Sequence, residues 1–272
     1  MPGRSPLRRV KGSVAHYELD GSFSDISGRY QHGRMLKGDP TFGAGQVGKA
    51  VSFDGESQVT FGDVGSFDRG DSFSIAVWLK PSSNTPIAAL QKISDAETRR
   101  GYELLFDDLE LIGIQRRAAR LNIKVTEKWP TSAIHLRTTK KLPLGDWHHI
   151  ALTHDGSGKA SGIKLFVNGK PFDLEVVQDN LMGSFKTTAE LGLGSKQYGK
   201  AYKGNVDDLR IYNRALSSEE IEQLAIHFPI QGILSGVFGK RSKDEAARVR
   251  DYFLTYAATE RLRQEYAALK SA

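Results

Sequence analysis

The sequence predicts an all-β chain, two antiparallel sheets packed as a sandwich, followed by a C-terminal helical tail. Three observations carry this reading. Short runs rich in Val, Ile, Phe, Tyr and Thr recur between residues 14 and 228, with apolar side chains at alternate positions. Turn formers separate the runs, among them Asp54-Gly55, Asp155-Gly156 and Asn168-Gly169. Past Phe228-Pro229 the period changes, and Val249, Tyr252, Phe253, Tyr256 and Ala257 make one helical stripe. The chain divides into a flexible N-terminal segment at 1–13, a sandwich at 14–228 and a helical tail at 229–272.

Ser13 to Leu19 reads as the first strand, and Asp20 to Gly28 as a loop of acids, hydroxyls and glycines. Residues 50–53 and 58–61 flank Asp54-Gly55 as a hairpin. Residues 72–79, with Trp78, are strongly β and belong in the middle of a sheet. A second hairpin is expected from 101–106 and 109–114 around Asp107-Asp108. Residues 115–143 are basic through Arg116, Arg117, Arg120, Lys124, Lys128, Arg137, Lys140 and Lys141. They read as an anion-binding patch or, in the preferred reading, as solvated edge strands whose charges discourage edge-to-edge pairing. Trp129-Pro130 interrupts any ladder at that point. Trp147 to His154 is a strand, and 163–167 and 170–176 form the clearest hairpin, about Asn168-Gly169. A further strand at 189–194 precedes a loop, 197–203, that holds Tyr198 and Tyr202.

Ser217-x-x-Glu220 has the spacing of a capping box, and Ile221, Leu224, Ala225 and Phe228 follow at helical spacing. Pro229 is expected to end that helix. Ser242-x-x-Glu245 is a second capping box. The tail is too small to hold a core alone, so its stripe is expected to dock on the sandwich or on a neighbouring domain.

At 272 residues the chain is long enough to bury a full sandwich core. A hydrophobic fraction of 39% and a mean hydropathy of −0.40 match an ordinary globular composition. No apolar run is long enough to span a membrane. With no cysteine, disulfides, thiolate metal sites and covalent haem attachment are excluded. A formal charge of +6 permits an anionic partner without requiring one, and nucleic acid is not an expected partner. Met1 to Lys11 is basic and lacks an apolar centre, so as it stands it is not a signal peptide.

From Val206 to Tyr212 the chain is extended, and period two places Asp207 on the face of Leu209 and Ile211. A carboxylate on an apolar face must find a partner. Two partners are open: backbone N–H groups in a network of Asx turns, or a hard cation. His148 and His149 are neighbours in a strand and point to opposite faces, so they cannot form a one-sided ligand pair. Trp129, Tyr198 and Tyr202 sit in predicted loops and are candidates to stack on sugar rings, whereas Trp78 and Trp147 belong to the core.

The run Gly204-x-Val206-Asp207-Asp208-Leu209-Arg210-Ile211-Tyr212-Asn213-Arg214-Ala215-Leu216-Ser217 resembles the closing motif of laminin-G-like, concanavalin A-like jelly rolls. Matching pieces precede it in order, at 48–55, 73–81, 147–156 and 165–170. The tail, with Trp129-Pro130 and the glycine- and serine-rich 155–162, resembles the laminin-G-like region of large secreted planctomycete-type proteins that also carry cytochrome c-like domains. The resemblance implies a non-catalytic binding module of a larger periplasmic or extracellular protein, with carbohydrate as the expected ligand. The alternative is a structural or protein-interaction domain that positions its neighbours. In the resembled fold the first and last strands are neighbours, which would bring Asp20 and Asp25 beside Asp207 as candidate ligands of a structural Ca²⁺. The jelly-roll glucanases carry three acids on one strand. Here the nearest acids are Glu103, Asp107, Asp108 and Glu110, and Phe106 stands where a third would be needed, so hydrolysis is not expected.

Overall fold

Alternating apolar side chains bury one face of each strand, and two sheets close over those faces. The computed structural model describes residues 10–82, 86–112, 115–194, 200–236 and 241–271. The strands in chain order are β1 (Ser13–Tyr17), β2 (Arg34–Lys37), β3 (Thr41–Ala44), β4 (Lys49–Asp54), β5 (Gln58–Thr60), β6 (Ser72–Pro81), β7 (Ile87–Ile93), β8 (Gly101–Ile112) and β9 (Gln115–Lys128). They continue as β10 (Ser132–Thr138), β11 (Leu142–Pro143), β12 (His148–Asp155), β13 (Ile163–Val167), β14 (Lys170–Phe172), β15 (Leu174–Asp179), β16 (Gly192–Leu193), β17 (Lys200–Ala201) and β18 (Lys203–Tyr212). One sheet runs β14-β13-β12-β6-β18-β4-β3, with β1 also paired to β18. The other runs β15-β10-β9-β8-β7-β16-β5-β2, with β11 on β9 and β17 on β7. Among the described residues all strand pairings are antiparallel except β17 with β7. This is the jelly-roll sandwich that the sequence predicts.

The core lies between the sheets. Phe73, Ile75, Val77 and Leu79 of β6 meet Leu104 and Phe106 of β8 and Leu121 and Ile123 of β9. Each such side chain contributes about 1.5–3 kcal/mol by leaving water. β6 is central, as expected, and is buried on both faces. Its outward Ala76 joins Ala151, Phe166, Tyr212, Leu216, Ile221 and Leu224 in a second apolar cluster.

Helices cover that outer face. Ser217 caps α1 (Ser218–Glu222) and Ser242 caps α3 (Lys243–Tyr256), both through complete capping boxes. Pro229 does not end the first helix. A π-helical turn, Gln223–His227, separates α1 from α2 (Phe228–Ser235), and Pro229 lies in the first turn of α2. The Phe228 N–H bonds back to Gln223 O, and the wide turn accommodates a proline that would clash inside a regular helix. α4 (Glu260–Ser271) follows. The tail stripe is only partly covered: α3 has no buried residue and Phe253 is 45% exposed, while Tyr252 bonds His227 at 2.8 Å.

Three expected local structures differ. Residues 50–53 and 58–61 are not a hairpin, because β4 and β5 belong to different sheets. Asp54 Oδ1 accepts from the N–H groups of Glu56 and Ser57, and this turn carries the chain across the sandwich. Residues 101–112 are one strand, not two: Asp108 takes a positive φ of 49° and makes a bulge, and the strand runs on to Ile112. The basic stretch is not at an edge, since β9 lies between β8 and β10. The Asn168-Gly169 turn stands as read, with both residues at positive φ. The strand after it is split, and β14 and β15 go to opposite sheets.

Candidate functional site

The outer face of the ten-stranded sheet is polar where its inner face is apolar. Register places Gln91, Glu103, Lys124, His135 and Gln178 on one rung across β7, β8, β9, β10 and β15. The adjacent rung carries Asn122, Arg137 and Glu175. Glu103 is 3% exposed and pairs with Arg99 at 2.9 Å and Lys124 at 3.4 Å. His135 Nε2 and Asn122 Oδ1 are 2.8 Å apart. Burial, reinforced by Lys124 and Arg137, pushes His135 down to about 4, so the ring is neutral at pH 7. Arg137 makes a two-pronged bond to Glu175, both arms 3.0 Å. Gln91 is 3% exposed, and its Oε1 has no hydrogen-bond partner.

Trp129 borders this band in the turn between β9 and β10. Lys124 Nζ lies 4.7 Å from its ring centroid, and the His135 ring meets it edge-on at 5.8 Å. Four of the eight basic residues are paired: Arg120 with Asp108 at 2.9 Å, Lys141 with Asp108 at 3.8 Å, and Lys124 and Arg137 as above, while the side chains of Arg116 and Arg117 lie outside those described. The alternation of Arg120, Asn122, Lys124 and Thr126 along β9 is the sequence signal for this face. Tyr202 is not part of any surface site. It is fully buried, its hydroxyl donates to Asn205 O, and its ring packs edge-on against Phe53. Tyr198 lies outside the described residues.

Asp207 does not share a face with Leu209 and Ile211. Asp208 takes a φ of 48° and inserts a bulge, so Val206, Leu209 and Ile211 point into the core while Asp207 is set on the opposite side. Its Oδ2 accepts from Gln46 N at 2.7 Å and Val47 N at 2.9 Å, and its Oδ1 is buried with no hydrogen-bond partner. Asp20 accepts from Lys49 N, on the same loop. A Cβ on Gly45 would stand 2.5 Å from Asp207 Oδ2, and one on Gly48 2.6 Å from Asp20 Oδ1, so only glycine fits at either place. Burial, with the charges of Asp208 and Asp20, pushes Asp207 up to about 8 against the two backbone bonds.

Asp25 does not join them. Its oxygens are taken by the N–H groups of His16, Ser27 and Gln31 and by the Ser27 hydroxyl, which close its own loop. Among the described residues no group of three or more His, Cys, Asp or Glu is placed to hold a metal. The three-carboxylate centre expected from the sequence is thus corrected to two acids, Asp20 and Asp207, gathered on one loop.

His149, on β12, is fully buried. It lies on the rung of Trp78 and Asp207. Asp208 is held by Arg210 Nε at 3.0 Å to both oxygens and by His16 Nε2 at 2.7 Å.

A family model described as the concanavalin A-like lectin/glucanases superfamily, of laminin G type, matches residues 53–222. Usherin of Rattus norvegicus is 25% identical over 153 residues, which are 56% of this chain and 3% of usherin. Domain 4 of the extracellular arabinanase AbnA from Geobacillus stearothermophilus, solved with arabinotriose, superposes with a TM-score of 0.58 at 24% identity, over 79% of this chain and 98% of that one. The binding domain of Paraclostridial Mosquitocidal Protein 1 gives a TM-score of 0.61 at 16% identity, over 80% of this chain and 52% of that one. No helix among the described residues is long and apolar enough to cross a membrane.

Proposed function

Because this chain belongs to the concanavalin A-like lectin/glucanases superfamily, we propose that it is a non-catalytic carbohydrate-binding module of a larger extracytoplasmic protein. The observation that carries this is the polar band on the ten-stranded sheet, bordered by Trp129. Amide, carboxylate, imidazole and guanidinium groups on one face offer the donors and acceptors that sugar hydroxyls need. The indole offers the apolar plane on which a ring stacks. A neighbour of the same fold was solved with arabinotriose, which supports the ligand class. Glu103 is bound to two cations, Arg99 and Lys124, so its carboxylate is already paired, which supports a binding rather than a hydrolytic role. A glycan array of the isolated chain tests the reading. Trp129→Ala is expected to weaken the bound glycan at least about tenfold, the effect of ~1.4 kcal/mol. Binding that survives Trp129→Ala, or an array without hits, counts against this face.

A second reading is a domain that positions its neighbours, and the tail supports it. Phe253, Leu262 and Leu269 are 45%, 39% and 79% exposed. An array without hits together with capture of an adjoining domain of the parent protein favours this reading.

A structural Ca²⁺ is part of the proposal. Asp207 Oδ1 is an orphaned buried acceptor, Asp20 is beside the same loop, and Gly45 and Gly48 let the two carboxylates approach that loop closely. Bound there, calcium would supply a positive charge beside the buried Asp207 carboxylate and the exposed Asp20. At about a hundredfold excess over Kd it adds ~2.7 kcal/mol of stability. Chelation is expected to lower the melting temperature of metal-loaded protein, and Asp207→Asn to abolish that response. An unchanged melt on chelation removes the metal from the proposal.

A further inference from the structure

A cavity of about 760 Å³ lies between the eight-stranded sheet and the helices that cover it, on the other sheet from the polar band. That volume falls within the usual range of small-molecule sites, about 300–1,000 Å³. Trp78 of β6 and Phe172 of β14 line it from the sheet, and Ile226 of the π-helical turn and Ile230 of α2 line it from the helices. Such walls suit an apolar body, which leaves water on entering. α3 is a light cover. It buries no residue, and it is held by the Tyr252 bond to His227 at 2.8 Å, by the packed rings of those two residues and Tyr256, and by Arg248 Nη2 donating to Gln46 O at 3.0 Å.

The charge on this lining is not balanced. Arg248 and Lys170 border the cavity, and among the described residues neither has an acid within ion-pair distance. Asp251, the one acid on the described lining, is paired with Arg250 at 2.8 Å. Asp244 and Glu245 of its own helix act on Arg248 only at a distance: Asp244 is exposed, and Glu245 accepts from the Ser242 N–H in the cap of α3. A half-buried guanidinium with one carbonyl partner keeps N–H groups for an anion, and such charge-assisted bonds are the strong ones.

We propose that this cavity binds a small amphipathic anion, a carboxylate on an apolar body, with Arg248 receiving the carboxylate and the walls from Trp78 to Ile230 enclosing the body. Lys170 adds a second positive charge on the lining. The site is independent of the glycan reading, because it lies on the other sheet. A ligand held both by Arg248 and by the sheet ties α3 down, so it stabilises the most lightly covered part of the tail.

The test uses the full chain and three probes that share one chain and differ in head group: octanoate, octan-1-ol and octylammonium. Calorimetry is run on wild type, Arg248→Met, Arg248→Lys and Thr255→Trp, the last placing a bulky ring at an exposed position on the cavity lining. Wild type is expected to bind octanoate about tenfold or more tighter than octan-1-ol, the effect of one charge-assisted hydrogen bond, and octylammonium weakest. Arg248→Met should bring octanoate down to the level of octan-1-ol and leave the alcohol unchanged, whereas Arg248→Lys keeps most of the preference. Thr255→Trp should weaken both, and octanoate should slow hydrogen exchange across 243–256 in wild type. Equal affinities for octanoate and octan-1-ol, or octylammonium binding tightest, overturn the anion receptor. A preference for octanoate that survives Arg248→Met overturns the role of that residue. Binding indifferent to Thr255→Trp, with exchange across α3 unchanged, places the ligand elsewhere and overturns the site, as does the absence of binding by all three probes.

Discussion

Asp208→Asn is expected to destabilise the fold by about 3–5 kcal/mol, the usual result of removing one partner from a buried ion pair. Asp208 and Arg210 are 2% and 6% exposed. The carboxylate receives Arg210 Nε on both oxygens and the His16 ring on one, while Nη2 approaches Oδ1 to 3.0 Å. The Arg210 guanidinium lies 4.1 Å from the centre of the Phe228 ring, at the start of α2, so it has little access to water. Asparagine suits the positive φ of position 208 almost as well as aspartate does, so the backbone bulge survives and the loss is electrostatic. Arg210 is then a buried cation without its counter-charge. At roughly 2–4 °C per kcal/mol, the melting temperature should fall by about 10 °C. Arg210→Met in the same chain should restore much of the loss, since an apolar replacement of the whole pair is often close to neutral. A loss below about 1 kcal/mol for Asp208→Asn would mean that water already reaches the pair.

The same bulge explains what could and could not be read from the sequence. Two Asp-Asp pairs, Asp107-Asp108 and Asp207-Asp208, each put the second residue at positive φ, 49° and 48°, and each shifts a ladder. An aspartate that tolerates positive φ serves a turn or a bulge equally well, and local composition does not say which. Reading 107–108 as a turn split one strand in two. Reading 207 without a bulge placed its carboxylate on the core face. The trace left in the sequence is the spacing of Val206 and Leu209, which are three apart yet share the core. Turn chemistry was likewise right at Asp54-Gly55 but silent on which sheet receives the next strand, because that choice is made by contacts distant in sequence. Asn168-Gly169 and both capping boxes were legible because their partners lie within four residues. The polar rung from Gln91 to Gln178 spans 88 positions and depends on four registers, so only its β9 portion showed as an alternation. Tyr202 stands between β17 and β18 rather than in a loop, with its ring turned inward against Phe53.

His149 is expected to make the fold acid-labile well above the range in which carboxylates titrate. The ring is wholly buried, with the edge of Trp78 at 5.2 Å, and its Nδ1 has no hydrogen-bond partner. Burial pushes its pKa from 6.5 down to about 4. The Arg210 charge adds to that shift and Asp208 opposes it. The unfolded chain therefore takes up a proton at this position as pH falls below 6.5, whereas the folded chain refuses it until about 4. Stability contributed by the neutral ring is fully present above 6.5 and is lost as pH falls through that window. At ~1.4 kcal/mol per unit the whole loss is roughly 3 kcal/mol. Between about pH 7 and about pH 4.5 the raised pKa of Asp207 adds a slope of the opposite sign to both chains, so urea unfolding should show the His149 loss as the difference between wild type and His149→Gln. His149→Gln lowers stability at neutral pH but has no proton to gain, so its curve between the two should lack most of that loss. His135, half-buried on the opposite sheet and also held near 4, contributes a smaller slope of the same sign, and His135→Gln serves as its control. Equal slopes in wild type and His149→Gln would show that water or a shifted α2 reaches the ring before the fold opens.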